Sequence, residues 1–256
     1  MNLPEYEYKG LMALAWDVLR GDTSGWEDRP FYLGIIQKYG QPVLDIGCGT
    51  GRLLLDYLKQ GIDIDGVDNS PEMLEICRQK AAEMSLSPVL YEQYMEELDL
   101  PRRYRTILIP SSSLQLIIES RAVNQALSRI YDQLLPGGIV AASIMALWKE
   151  GAPLENDWEH TATRAEDGVK FRRESKSRYD SETEFEHTED LYQMIEEDKV
   201  VQEEMHKRSP ATRSYTQTQA KKLFEQNGFE NITLLRAFSN EPVKHNDDVF
   251  VIIGQK

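Results

Sequence analysis

The spacing of apolar residues along the chain predicts two kinds of region. Up to Met145, short apolar runs alternate with stretches in which apolar residues recur every three or four positions. Alternating strands and helices are typical of βαβ units, and therefore of a mostly parallel sheet with right-handed crossovers. From about Trp148 to Ser209 the apolar residues recur with period two among many charges. This second pattern predicts antiparallel strands joined by tight turns.

The predicted elements of the first region begin with helical spacing in the first forty residues. We predict strands at 42–46, 62–67, 89–91, 106–109 and 138–144, and helices at 52–60, 71–83 and 121–135. The alternation returns after the antiparallel stretch with a helix at 216–227 and strands at 229–236 and 249–254. We therefore predict an α/β fold with a doubly wound sheet in residues 1–147 and 210–256. An antiparallel β subdomain at 148–209 is inserted in it.

Composition and charge limit the classes of partner. The chain has 256 residues, and 29 Lys and Arg against 43 Asp and Glu give a formal net charge of −14. Such a surface repels phosphate backbones and anionic lipids, so we expect neither a nucleic acid nor a membrane as partner. Cys48 and Cys77 are too few for a disulfide framework and fit a reducing compartment. Without an apolar run of 18 residues or a basic amino terminus, the chain is expected to be cytoplasmic.

The candidate ligand site is a glycine-rich turn, Asp45-Ile-Gly-Cys-Gly-Thr-Gly51. Glycines at 47, 49 and 51 follow a predicted strand and precede a predicted helix, where they permit a sharp turn and the close approach of a ligand. A dinucleotide-binding turn needs another glycine three residues after the second one, and Arg52 stands there. No Gly-Lys-Ser/Thr follows, so the turn is not a phosphate-binding P-loop.

Asp68 ends the second predicted strand, seventeen positions after Gly51. In a doubly wound sheet this position lies beside the glycine turn, at the carboxyl edge where ligands bind. A carboxylate there can accept hydrogen bonds from both hydroxyls of a ribose. The alternative is that Asp68 only caps the helix that begins at Pro71, although Asn69 or Ser70 could cap it equally well. We favour ribose binding.

These motifs resemble those of the class I S-adenosylmethionine-dependent methyltransferases. Asp45–Gly51 and Gly66–Leu74 are similar to the first two signature motifs of that family, and Leu135–Gly138 is similar to its turn before the fifth strand. The resemblance covers residues 16–145 and resumes at about 215–254. It implies a Rossmann-like sheet of seven strands with the last one antiparallel, and S-adenosylmethionine as cofactor.

The resemblance also implies roles for single residues. Asp45, Gly47 and Gly49 would hold the methionine end of the cofactor, Asp68 its ribose, and Asn69 and Met73 its adenine. The cofactor-binding residues implied in this way are Trp16, Asp45, Gly47, Cys48, Gly49, Asp68, Asn69, Met73, Tyr94, Met95 and Ser111.

Two of these positions depart from the simplest assignment. Tyr94 stands where the family has an acidic or polar residue, so adenine contact there would use stacking or the main chain of Met95. Trp16 and Asp17 match a Tyr-Asp pair of bacterial small-molecule members, in which this helix covers the cofactor. The alternative for Trp16 is a core aromatic on an apolar stripe.

Residues expected to contact the methyl acceptor come from two segments. Ser112, Ser113 and Gln115 follow the fourth strand, where the family lines the methyl-transfer cleft. The insertion would form a lid and pocket wall, as in small-molecule members. Its candidates, together with the residues at its exit, are Trp148, Trp158, Arg213 and Tyr215. Strand packing is the alternative for each, and the scattered histidines are not expected to bind a metal.

The expected reaction is a direct in-line transfer. A sulfonium methyl is already activated, so transfer needs alignment and a desolvated nucleophile, and we assign no catalytic residue. Residues 110–113 read Pro-Ser-Ser-Ser, not the Asn/Asp-Pro-Pro-Tyr of enzymes that methylate planar amino groups. We therefore expect a methyltransferase acting on a nitrogen or oxygen of a small molecule.

Three other functions stay open at this stage. They are a non-catalytic interaction protein that binds S-adenosylmethionine, a protein or RNA methyltransferase, and a nicotinamide-dependent oxidoreductase. Edge pairing of the lid strands could join two copies as a homodimer, although Glu and Lys along these strands oppose it.

Overall fold

The computed structural model describes residues 8–149, 151–245 and 247–256 and divides the chain into two compact units. The larger unit comprises Trp26–Ala146 and Ser214–Lys256, and the smaller unit comprises the residues up to Gly25 together with Leu147–Arg213. Among the described residues, no helix is long and apolar enough to cross a membrane.

The elements have the following bounds. The helices are α1 (Gly10–Arg20), α2 (Asp28–Tyr39), α3 (Leu54–Lys59), α4 (Pro71–Glu83), α5 (Ser120–Gln133) and α6 (Gln217–Gln226). The strands of the larger unit are β1 (Val43–Ile46), β2 (Ile64–Asp68), β3 (Val89–Glu92), β4 (Tyr104–Ile109), β5 (Leu134–Met145), β10 (Glu230–Arg236) and β11 (Val249–Gln255). Those of the smaller unit are β6 (Glu155–Thr163), β7 (Lys170–Asp180), β8 (Phe185–Glu196) and β9 (Lys199–Arg213).

The larger unit is built on a seven-stranded sheet in the order β10-β11-β5-β4-β1-β2-β3. Strand β11 runs antiparallel to both of its neighbours, and the other pairs are parallel. All four residues of β1 are buried, as expected for a parallel strand covered on both faces. The predicted doubly wound α/β sheet with an antiparallel last strand is therefore confirmed.

The helix predicted at 121–135 ends two residues earlier in the structure. We predicted a helix to residue 135 followed by a Pro-Gly-Gly turn, but α5 ends at Gln133 and β5 begins at Leu134. Leu134 pairs with Tyr104 of β4, and the register shifts before Thr106 pairs with Ile139. Pairing with a distant strand thus overrides the local turn signal.

The smaller unit consists of a four-stranded antiparallel sheet, β6-β7-β8-β9, and helix α1. One buried cluster joins α1 to the antiparallel sheet. It contains Leu11, Met12 and Ala15 of α1 and, from the sheet and the turn before β7, Val169, Phe171 and Tyr192. The carboxylate of Glu204 also accepts a hydrogen bond from the Leu11 amide at 2.8 Å, which satisfies a free N–H of the first helical turn.

This grouping differs from the predicted domain organisation at both ends of the insertion. The sequence placed residues 1–147 in the sheet domain, whereas α1 is grouped with the antiparallel sheet because its apolar face is buried there. Strand β9 also continues to Arg213, beyond the predicted boundary at 209.

The packing of α1 gives a direct test. Leu11 is fully buried, whereas Leu14 of the same helix is 49% exposed. Replacing Leu11 with Ala should lower the free energy of unfolding by about 2–5 kcal/mol, because it leaves a cavity against the sheet. The control variant Leu14→Ala should change it by less than about 0.5 kcal/mol. Urea denaturation followed by tryptophan fluorescence measures both, and equal effects would contradict the packing.

Candidate cofactor-binding site

The glycine-rich turn is fastened to the end of the neighbouring strand. The amides of Gly47 and Cys48 both donate to the carbonyl of Val67 in β2, at 2.8 and 3.1 Å. Gly47 and Gly49 have positive φ angles of 70° and 54°, which favour glycine. A Cβ on Gly47 would lie 2.8 Å from the Ser113 hydroxyl oxygen, so this position lacks room for a side chain.

Asp68 joins the glycine turn to the start of α4. Its carboxylate accepts hydrogen bonds from the amides of Gly49, at 2.8 Å, and Ser70, at 2.9 Å. Burial raises the pKa of Asp68, and the main-chain amides oppose that shift. The N-cap of α4 is Ser70, whose hydroxyl accepts from the Met73 amide. Because a carboxylate offers about four acceptor positions, Asp68 can still bind a hydroxyl group.

Asp45 supplies a second buried carboxylate at the end of β1. It is only 2% exposed, and its Oδ1 has no hydrogen-bond partner among the described residues. Burial raises the pKa of Asp45 to about 7; Arg52 lowers it, and Asp68 and Asp28 raise it. A buried carboxylate oxygen without a partner calls for an explanation, and a donor group on a ligand provides one.

The sequence analysis did not include the ion pair of Arg52 and Asp28 in this site. The two side chains form a paired set of hydrogen bonds, with 3.0 Å between Nη1 and Oδ1, and both are largely buried. The guanidinium also lies 4.9 Å from the ring centre of Trp26. Arg52 is thus the cation that offsets the buried carboxylates near the turn. An arginine directly after a glycine run was the available signal.

The loop after β4 lies against the glycine turn. Ser111 and Ser112 both have positive φ angles, 54° and 58°, a strained conformation that is often found in functional loops. The Ser112 amide donates to the Ser143 hydroxyl at 3.0 Å. Of the predicted residues in this loop, Ser113 is brought closest to the turn at Gly47.

Two residues predicted to contact the acceptor are buried in the larger unit. The amide side chain of Gln115 donates to the carbonyl of Met145 and accepts from its N–H, at 2.9 and 2.7 Å. The structure therefore uses Gln115 to hold the loop to β5. Tyr215 is 5% exposed and belongs to the hydrophobic core.

The segment after β3 approaches the same edge of the sheet. The Gln93 amide donates to the carbonyl of Asp68 at 3.2 Å. Tyr94 follows it and is partly exposed, with a pKa raised by burial and by neighbouring glutamates. Met95 packs against the hydrophobic core, and Asn69 is partly buried after β2. Adenine contacts by Asn69, Tyr94 and Met95 remain predictions.

Four predicted ligand residues lie in the smaller unit: Trp16, Trp148, Trp158 and Arg213. Trp16 is covered by the guanidinium of Arg20, 3.9 Å from its ring centre. Trp148 stacks on Tyr179, with ring centres 5.6 Å apart and planes at 15°. Arg213 belongs to the same unit, at the end of β9. The predicted roles of these side chains toward cofactor and acceptor remain predictions.

Comparison with known families shows which proteins carry a similar site. Residues 43–138 match the family model described as a methyltransferase domain. This family model and the solved structures that resemble the chain are class I S-adenosylmethionine-dependent methyltransferases. The matched range contains the glycine turn, Asp68 and the loop after β4, and it confirms the family and the cofactor that the motifs predicted.

Individual relatives agree with this assignment. One relative is a protein of Geobacillus sp. (strain WCH70) that is named provisionally as a methyltransferase. It is 32% identical over 118 residues, and the match covers 44% of this chain and 48% of that protein. A dTDP-3-amino-3,6-dideoxy-α-D-glucopyranose N,N-dimethyltransferase of Streptomyces fradiae is 25% identical over 142 residues, 54% of each chain. The chain therefore spans about half the length of these relatives.

A solved structure extends the similarity to nearly the whole chain. An S-adenosylmethionine-dependent methyltransferase from Clostridium acetobutylicum ATCC 824 superposes with a TM-score of 0.75. The two are 20% identical, and the match covers 94% of this chain and 96% of the other. At this identity the likeness shows a shared fold.

The residues present fit S-adenosylmethionine. The unpartnered Oδ1 of Asp45 suits a donor such as the cofactor's ammonium group, and the carboxylate of Asp68 suits ribose hydroxyls. The glycine at 47 lets the Ser113 hydroxyl pack against the turn, where a Cβ would meet it.

The raised pKa of Asp45 predicts a pH-dependent stability. The folded protein holds a proton on Asp45 that the unfolded chain releases, so between about pH 4 and pH 7 the free energy of unfolding should fall as pH rises. The slope approaches about 1.4 kcal/mol per pH unit. Asp45→Asn should lack this part of the slope, and the exposed Asp132→Asn should retain it. Urea denaturation of the ligand-free protein at pH 5 and pH 7 measures the difference. The same slope in all three proteins would contradict the placement of Asp45.

Proposed function

We propose that this methyltransferase moves a methyl group from S-adenosylmethionine to a nitrogen or oxygen of a small molecule. The observation that carries the proposal is the pair of buried carboxylates at the glycine turn, Asp68 bound to the Gly49 amide and Asp45 with an unpartnered oxygen. Two carboxylates suit a ligand with an ammonium group at one end and a ribose further along.

The residues would divide the cofactor between them. Asp45 would accept from the ammonium group of the methionine end, beside Gly47, Cys48 and Gly49. Asp68 would accept from the ribose hydroxyls through the acceptor positions that its two amide contacts leave free. Asn69 follows Asp68 directly and Met73 lies in the first turn of α4, and both would lie at the adenine, with Tyr94 and Met95 as further candidates.

The proposed transfer places few chemical demands on the protein. When bound, S-adenosylmethionine supplies a methyl group already activated by the sulfonium. The protein then has to align the acceptor with this methyl group and to keep water away, which needs no catalytic triad. Ser112 and Ser113, in the loop held by Ser143 and Gln115, are the proposed lining of the transfer site.

We further propose that the acceptor atom is an amino nitrogen and that the acceptor resembles an amino sugar. The Streptomyces fradiae relative is named for such a substrate, and its match covers more of this chain than the glycine turn and Asp68 alone. The smaller unit would supply residues that recognise the acceptor. With a formal charge of −14, the protein is proposed to act in the cytoplasm and without a nucleic acid partner.

Asp68 and its neighbour Ser70 allow a controlled test of cofactor binding. Asp68→Ala should weaken S-adenosylhomocysteine by roughly 1.5–3 kcal/mol, because it removes charged hydrogen bonds to the sugar. Ser70→Ala should destabilise α4 by about 1 kcal/mol through loss of the cap and leave the affinity nearly unchanged. Titration calorimetry measures both affinities. If both variants bind like the wild type, Asp68 has only a structural role.

Turnover is tested with dTDP-3-amino-3,6-dideoxyglucose and S-adenosylmethionine. We expect release of S-adenosylhomocysteine and a sugar that carries one or two added methyl groups, both detected by mass spectrometry. Its 3-hydroxy counterpart serves as control for nitrogen against oxygen. Tight S-adenosylhomocysteine binding without transfer to a broad panel of amines and phenols would instead indicate a non-catalytic interaction protein.

A further inference from the structure

One buried tyrosine hydroxyl of the larger unit has no part in the site described so far. Tyr32 of α2 has no exposed surface, and its hydroxyl oxygen has no hydrogen-bond partner among the described residues. By contrast, the buried hydroxyl of Tyr104, at the start of β4, donates to Asp65 at 2.8 Å. Buried hydroxyl groups are nearly always paired, so the Tyr32 hydroxyl requires a partner.

Tyr32 lies on the side of the large sheet that carries Asp45 and Ser143. Asp45 of β1 pairs with Leu108 of β4, and Leu108 pairs with Ala141 of β5, two residues before Ser143. Directly paired residues share a side of a sheet, as do residues two apart on one strand, so Asp45 and Ser143 are on the same side. Tyr32 belongs to one buried cluster with Leu108 and Ala141, which places it on that side.

Electrostatic effects on Tyr32 agree with this placement. Burial raises the pKa of Tyr32 well above its usual range; the Ser143 hydroxyl lowers it, and Asp28 and Asp45 raise it. The buried Oδ1 of Asp45 also has no hydrogen-bond partner in the part of the chain that the structure describes. A hydroxyl that can donate and a carboxylate oxygen that can only accept are therefore neighbours, and both lack a partner.

Aromatic contacts fix the direction of the Tyr32 ring. The rings of Phe31 and Phe238 meet it edge to face, with their centres 5.4 and 6.2 Å from its own. Phe238 has a φ angle of 50°, a strained conformation for a bulky residue. Strain of this kind persists where the surrounding packing demands it, and it is common near functional sites. The hydroxyl of Tyr32 is thus held in one direction.

One order of donors and acceptors satisfies these groups together. The Ser112 amide donates to the Ser143 hydroxyl at 3.0 Å, so Ser143 keeps its own proton for a further acceptor. Tyr32 can accept that hydrogen bond and donate its own to Asp45. Because an amide only donates and a carboxylate only accepts, the chain has a single direction. Leaving buried groups unpaired costs more than the small side-chain rotation that closes the chain.

We propose that Tyr32 is a positioning residue, whose hydroxyl accepts from Ser143 and donates to Asp45 and so orients Asp45 for the ammonium group of the cofactor. Each carboxylate oxygen has two acceptor positions, so the contact with Tyr32 leaves room for the ammonium group. Through Ser143 the same chain ties Asp45 to Ser112, in the loop proposed to line the transfer site. This inference rests on the proposed function, because it explains how the residue assigned to the ammonium group is held.

The experiment compares two ligands by titration calorimetry of the full chain: S-adenosylhomocysteine, and 5′-methylthioadenosine, which lacks the amino-acid end. Tyr32→Phe removes the hydroxyl and keeps the ring. Ser143→Ala interrupts the chain of hydrogen bonds one step earlier. Tyr104→Phe is the matched control, because it also removes a buried hydroxyl, and this one donates to the buried carboxylate of Asp65 at the other end of the sheet.

Tyr32→Phe should bind S-adenosylhomocysteine about 5- to 50-fold more weakly at pH 7, because the charged form of Asp45 loses a donor. Ser143→Ala should weaken binding in the same direction by about 2- to 10-fold. Both variants should bind 5′-methylthioadenosine like the wild type, and Tyr104→Phe should bind both compounds like the wild type. In the background of Asp45→Asn, the further change Tyr32→Phe should have no effect, because the two residues act as a pair.

The pH dependence distinguishes positioning from packing. A donor to the carboxylate lowers the pKa of Asp45, so Tyr32→Phe raises that pKa, and the rise of S-adenosylhomocysteine affinity around pH 7 should move to higher pH. The other titratable groups that face Asp45 are the same in this variant: Arg52 and Cys48 of the turn, Asp28 of α2, Tyr57 of α3, Asp68 of β2 and Cys77 of α4. A change in packing alone would leave the midpoint in place.

The outcomes separate this inference from the proposed function. Wild-type affinity and midpoint in Tyr32→Phe would overturn the inference, and so would equal losses of affinity for the two compounds. If Tyr32→Phe does not fold, Ser143→Ala decides, and wild-type binding by that variant would overturn the inference. Wild-type binding by Asp45→Asn would instead overturn the proposed role of Asp45, and a wild type that does not bind S-adenosylhomocysteine would overturn the proposed function.

Discussion

The hydrogen bond from the Gly49 amide to the carboxylate of Asp68 ties together the ends of the first two strands of the large sheet. It holds the glycine turn in a conformation with positive φ angles. A second hydrogen bond, from the Ser70 amide, fixes the same carboxylate to the start of α4. The turn, the strand end and the helix start therefore form one rigid edge. The proposed cofactor site depends on this edge, because a ligand that contacts main chain needs the main chain to be held in place.

Burial of like charges at this edge is the main cost of the arrangement. Asp45 and Asp68 lie at the ends of adjacent parallel strands, and burial raises the pKa of both. Asp68 and Asp28 raise the pKa of Asp45 further. Arg52 offsets part of this charge through its pairing with Asp28. Oδ1 of Asp45, which has no hydrogen-bond partner in the part of the chain that the structure describes, then remains as an acceptor that requires a donor. A site of this kind favours a cationic or hydroxyl-bearing ligand over an anionic pyrophosphate.

Local patterns in the sequence predicted the parts of the molecule that are set by local chemistry. The glycine turn, the position of Asp68 and the Pro71 helix start follow from neighbouring residues, and the alternating strands and helices follow from apolar spacing. The rest depends on contacts between distant positions: the pairing of Arg52 with Asp28, the extension of β5 to Leu134, and the packing of α1 on the antiparallel sheet. Sequence reasoning also assigned Gln115 to the acceptor and could not foresee that its side chain binds the main chain of Met145.

The most direct measurement is titration calorimetry of the full chain with S-adenosylhomocysteine and, separately, with NAD. If the carboxylates and the glycine turn form an adenosyl sulfonium site, S-adenosylhomocysteine binds at one site per chain and NAD gives no heat. Binding of NAD alone, or of neither compound, would contradict the account.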